Sequence, residues 1–163
     1  MTMFRTLSAL LILVGLLLSG CTTDQPIISN PRKARLEGVE LYNRGDYENA
    51  AGAFRNAIRQ EPRDYRSHYY MGLTYERLNN VQQALQAYKS SLRVMQESPA
   101  GREDVDFRQI VMNTLASAIA KYDTNHLEQD LLIQQATNLE FDAKRRAESY
   151  FLLAKIERYR RDA

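Results

Sequence analysis

The chain has one cysteine, Cys21, so no disulfide within it can form. Its two histidines, His68 and His126, are too few for a His-rich metal site, and no His-Glu-x-x-His pattern joins them. Charge of one sign is scarce: 22 Lys+Arg stand against 20 Asp+Glu, a net of +2. That leaves no excess to hold a nucleic acid by counterion release. Neither Gly-x-x-x-x-Gly-Lys nor Gly-x-Gly-x-x-Gly occurs, so no phosphate-cradling loop is expected. Four prolines and seven glycines in 163 residues give little punctuation, and long helices become the expectation. What is present, 44% hydrophobic and 26% charged residues, is the balance of one folded domain.

The first 21 residues differ from the rest. Arg5 precedes an apolar run over residues 7–18, and Ser19 and Gly20 lead into Cys21. Twelve residues are too few to cross a bilayer core, which takes about 20 in a helix. A basic start, an apolar middle and a small-residue end are the marks of a secretory signal, with an uncleaved anchor as the alternative. The stretch Leu18-Ser19-Gly20-Cys21 resembles the lipobox of bacterial lipoproteins. The resemblance implies cleavage of residues 1–20, lipidation of Cys21 and membrane attachment through it. Thr22, rather than Asp, after the cysteine implies the periplasmic face of the outer membrane. Residues 21–32 then form the lipidated cysteine and a flexible tether, with two prolines and no helical period. Roughly ten extended residues reach about 30 Å.

The remaining chain, 33–163, repeats itself. Gly38, Ala50 and Phe54 recur 34 residues later as Gly72, Ala84 and Tyr88, and Gly45-Asp46-Tyr47 faces Asn79-Asn80-Val81. Glycine inside a helix costs roughly 0.8–1 kcal/mol against alanine, so Gly38 and Gly72 need a compensating close approach of a second helix. The 34-residue period with small residues at these offsets resembles the tetratricopeptide repeat, a helix–turn–helix unit. The second half is fainter. Leu115-Ala116 and Leu153-Ala154 repeat the large-then-small step of Met71-Gly72. Pro99-Ala100-Gly101 is expected to break a helix, Asp123-Thr124-Asn125 to make a turn, and a helix to run from about His126 to Leu139.

The expected fold is therefore all-α, an antiparallel helix-pair solenoid of tetratricopeptide type. It holds two clear repeats, one divergent repeat at about 109–142 and a C-terminal capping helix. Glu37 and Ala34 stand where the family has large apolar and aromatic residues, so the first helix should pack weakly on one side.

The resemblance implies a groove lined by the first helix of each pair, open to a protein or peptide. Carried over by alignment, the candidates are Arg35, Val39 and Tyr42, then Arg66, Tyr69, Leu73 and Glu76. Asn113, with Ser117 and Ala120, follows in the divergent repeat, and Phe151, Lys155 and Arg158 in the last helix. Tyr42 and Tyr69 suit the core between repeats equally well. Tyr69 and Leu73 stand where a carboxylate clamp would need polar side chains, so a chaperone-tail receptor is not expected. Glu103, Asp104 and Asp106 fit the first turn of a helix better than a metal site. The last helix region carries seven basic residues against Glu148 and Glu157, either a solvated cap or a dock for something acidic.

The function these features imply is a lipid-anchored scaffold in cell-envelope assembly, serving pilus secretin, outer-membrane or peptidoglycan machinery. No catalytic residue, metal, cofactor, nucleic acid or small-molecule substrate is expected. The alternatives are a ligand-binding or enzymatic module on a helical scaffold, and a self-assembling structural lipoprotein.

Overall fold

The computed structural model describes residues 30–138 and 140–163. The expected signal peptide, the lipidated Cys21, most of the tether and Leu139 lie outside the described residues. Eight helices make up the described chain: α1 (Pro31–Asn43), α2 (Tyr47–Gln60), α3 (Tyr65–Arg77), α4 (Val81–Glu97), α5 (Pro99–Glu103), α6 (Val105–Tyr122), α7 (Leu127–Thr137) and α8 (Ala143–Arg161). Helix α1 starts within the stretch assigned to the tether, because the Asn30 side chain accepts from the Lys33 amide and Pro31 suits a first helical position.

Two hairpins open the molecule, α1 on α2 and α3 on α4, with α2 packed against α3 between them. Their compactness comes from glycine against aromatic. A Cβ at Gly38 would stand 2.6 Å from Phe54 Cε1, and one at Gly72 would be closer still to Tyr88 Cε1. Both rings are fully buried, and sealing a ring that size gains roughly 1.5–3 kcal/mol. Each hairpin turns on a left-handed residue, Gly45 at φ 81° and Asn79 at φ 58°. Only Ala34 and Gly38 of α1 are buried, as its weak apolar content implies.

The chain departs from expectation after α4. The break comes at Ser98, whose extended backbone and side-chain cap on the Gly101 amide place Pro99 at the start of a new short helix. A residue before proline is pushed out of the helical region, so the proline opens α5 rather than ending α4. At the next turn the left-handed residue is His126, φ 58°, so α7 starts one residue later than expected, at Leu127, and stops at Thr137.

The third unit pairs differently from the first two. Helices α6 and α7 make little direct contact; α8 packs against both, in the place where a second helix would lie on α6. Leu152 and Ile156 of α8 are buried in the same core as Leu115 and Ile119 of α6 and Leu132 of α7. A buried ion pair, Arg108 Nη2 to Glu148 Oε1, joins α6 to α8, and Gln96 of α4 donates to the other oxygen of Glu148 at 2.5 Å. Burial pulls the Arg108 guanidinium below its ordinary pKa, but it stays charged at cellular pH. Arg160 holds the far end, donating to the Gln129 side chain and to the Asp123 carbonyl. The last helix is a wedge as much as a cap.

Candidate partner-binding groove

The first helices of the units, α1, α3 and α6, share one face with the C-terminal end of α8. Two basins lie along it. One, of about 340 Å³, is lined by Tyr42, Leu73, Glu76, Arg77, Lys121 and Tyr122. The other, of about 330 Å³, is lined by Glu76, Asn113, Thr114, Ser117, Ala118, Lys121 and Tyr159. Glu76 and Lys121 belong to both, so the basins form one continuous groove.

Its polar groups are held from behind. Tyr88, buried beneath α3, donates its hydroxyl to Glu76 Oε2 at 2.5 Å. Burial first, then this carboxylate, pushes the Tyr88 phenol well above its ordinary pKa, so it remains a donor at any physiological pH. Arg77 Nε donates to the Tyr42 hydroxyl at 3.2 Å, and the Tyr42 ring meets Tyr47 edge-on with centroids 5.4 Å apart. Lys121 Nζ sits 4.7 Å above the Tyr122 ring, and hydrogen bonding toward the Tyr122 hydroxyl raises the Lys121 pKa. Asn113 accepts from Gln109 at 3.1 Å through its amide oxygen, and its two amide N–H donors are not used in that bond.

The candidates do not all meet. Tyr42, Leu73, Glu76, Asn113 and Ser117 meet in the groove. Arg35 and Arg66 line a different depression near the N-terminal ends of α1 and α3. Each is spent on an ion pair there, Arg35 with Asp64 at 2.5 Å and Arg66 with Asp104 at 2.7 Å. Val39 is half-buried on α1. On α8, Lys155 sits 5.5 Å over Phe151 and Arg158 reaches Asp162 at 3.7 Å, while Tyr159 is the residue that enters the groove.

Tyr69 and Ala120 sit with the core. Tyr69 is 9% exposed, packs edge-on against Tyr70 and Phe107, and shares a 3.4 Å hydrogen bond with Thr114. An aromatic ring on the inner flank of α3 fills space against α6 before it can meet a partner. Ala120 is likewise packed on that core.

Arg77, Lys121, Tyr122 and Tyr159 were not among the positions carried over by alignment. Three of them lie one helical step, i+4, beyond named candidates: Leu73 to Arg77, Ser117 to Lys121, Lys155 to Tyr159. Extending the stripe by one turn finds them. Asp104 caps α6 through the Phe107 amide at 3.3 Å and also takes Arg66 and the Tyr65 hydroxyl. The acidic cluster thus serves a helix start and a clasp to α3.

Residues 35–101 match the family model described as tetratricopeptide repeat. No curated protein and no solved structure matches the chain. The match spans the two hairpins and stops before α6, where helix pairing changes. The molecule is an all-α, tetratricopeptide-like solenoid, and repeats of this kind are in general platforms for binding other proteins.

Proposed function

We infer that the chain is a lipid-anchored, non-catalytic scaffold that captures a protein or peptide in the groove, on the periplasmic face of an outer membrane. The observation that carries the reading is the groove itself. Four helices from distant parts of the chain contribute to it, and its charged side chains, Glu76, Lys121 and Arg77, each have a partner that sets their position. Basins of about 330–340 Å³ take side chains, while the amides and hydroxyls between them suit a peptide backbone. Attachment rests on the lipobox-like Leu18-Ser19-Gly20-Cys21, and Thr22 favours the outer membrane. Envelope assembly, at a pilus secretin, outer-membrane or peptidoglycan machine, is the setting such an anchor suggests.

A photo-cross-linking amino acid at Ser117 should trap a partner in intact cells, whereas the same group at Gln86, exposed on α4, should not. Lys121→Glu with Asn113→Ala should cut the Ser117 product about tenfold, the loss expected for two groove contacts. Equal trapping from both positions, or capture untouched by the double change, would remove the groove from the account.

A further inference from the structure

A second concavity lies away from the groove, between α4, α6, α7 and α8. It exists because α8 occupies the flank of α6 and holds α7 off α4; the Lys89–Glu128 ion pair bridges the gap. The resulting crevice, about 330 Å³, has a floor of Leu92, Leu115, Ile119, Leu132 and Leu152, with the half-exposed Leu131 also lining it.

The charges around its mouth are unequal once internal pairs are removed. Both oxygens of Glu128 accept from Lys89, at 2.8 and 2.6 Å. Glu148 is engaged by Arg108 and Gln96. Arg93 and Arg145, both exposed at the mouth, have no carboxylate partner among the described residues, and Arg145 rests 5.0 Å over the Phe141 ring. What remains is an apolar slot beneath two guanidinium groups with no carboxylate within 4 Å among the described residues, Asp142 acting on the Arg145 guanidinium only through a longer-range attraction. The slot is too narrow for a helix, one turn of which displaces about 400 Å³ at a diameter of about 10 Å. It sits at the lower end of the about 300–1,000 Å³ seen for small-molecule sites, wide enough for one alkyl chain.

We propose that this crevice binds a single-chain anionic amphiphile, an alkyl chain in the leucine-lined slot with its carboxylate or phosphate head on Arg93 and Arg145. This site is independent of the groove. Guanidinium groups pair with either head in the same two-pronged fashion, so both belong to one ligand class. Fatty-acid and monoacyl phospholipid sources share that chemistry.

The test uses the full chain in nanodiscs of zwitterionic lipid, with empty discs as the blank, titrated calorimetrically with hexanoate, octanoate, octyl phosphate and octylammonium. Octanoate should bind one to one. It should exceed hexanoate by about fifteenfold, since each of the two extra buried methylenes strengthens binding about fourfold. Octyl phosphate tighter than octanoate would assign the phosphate source, and the reverse order the fatty acid. Arg93→Glu with Arg145→Glu, both at exposed positions, should weaken octanoate at least about tenfold and favour octylammonium. Leu131→Asp, at a half-exposed lining position, should abolish binding while leaving cross-linking from Ser117 intact. The proposal falls if octanoate does not bind, if its affinity ignores chain length, or if the charge reversals leave it unchanged.

Discussion

At the scale of single residues, the same amino acid has opposite meanings at different places. Gly72 is buried and its missing Cβ is the space that Tyr88 fills; Gly52 lies on the open face of α2 with nothing within 4 Å of where a Cβ would be. Alanine improves helix propensity by about 1 kcal/mol at both. At Gly72 it also forces the Tyr88 ring off its seat, an overpacking cost of about 1–3 kcal/mol. Gly72→Ala should therefore lower the urea midpoint and Gly52→Ala should raise it, a difference of sign that equilibrium unfolding will read directly. The paired spacing of Gly38 with Phe54 and Gly72 with Tyr88 was visible in the sequence because both members recur at 34 residues. Tyr69 was not so legible: a tyrosine at a helix-A position reads the same whether its ring meets solvent or α6.

At the scale of elements, side-chain caps start six of the eight described helices, and only the acidic start of α6 was read as such in the sequence. Asn30, Asp46, Asp64, Ser98, Asp104 and Asp142 each accept from an amide three residues on. Asp104 does more, because it also ties α3 to α6. Burial would raise its pKa, but the Arg66 and Tyr65 hydrogen bonds and the Phe107 amide together hold it below the ordinary 3.8. A carboxylate lowered in the folded state stabilises the fold above its unfolded pKa, and the gain is lost as pH falls through the lowered value. Asparagine caps as well as aspartate, so Asp104→Asn isolates the clasp from the cap. The variant should unfold more easily than the parent at pH 7, by less than about 1 kcal/mol because the pair is partly solvated. The gap should narrow as pH falls below 3.8 through the lowered value and shrink in high salt, as paired urea titrations will show. The short α5 was set locally, by Pro99 on Ser98, but Pro99-Ala100-Gly101 reads in the sequence as a break rather than as a new start; the left-handed His126 that delays α7 carries no turn signal of its own.

At the scale of the whole molecule, the arrangement separates two faces with different chemistry. The groove runs along α1, α3, α6 and the end of α8; the crevice opens where α8 has pushed α7 away from α4. Cells grown with labelled palmitate should mark the wild-type chain and not Cys21→Ser. Equal labelling of both, or no label on the wild type, would remove Cys21 as the anchor.

The sequence by itself determined the helical class, the two hairpins and the candidate anchor. Each is carried by local residue pattern: a 34-residue recurrence, glycine opposite an aromatic ring, small residues before a lone cysteine. Only the tertiary structure decided that α8 lies between α6 and α7, that Tyr69 turns inward, and that Arg77, Lys121 and Tyr159 complete the groove. Those outcomes depend on which apolar faces compete for the same neighbour once the repeats have stacked. Leu152 and Ile156 bury themselves against Leu115, Ile119 and Leu132 together, and no stretch of chain read alone contains that choice.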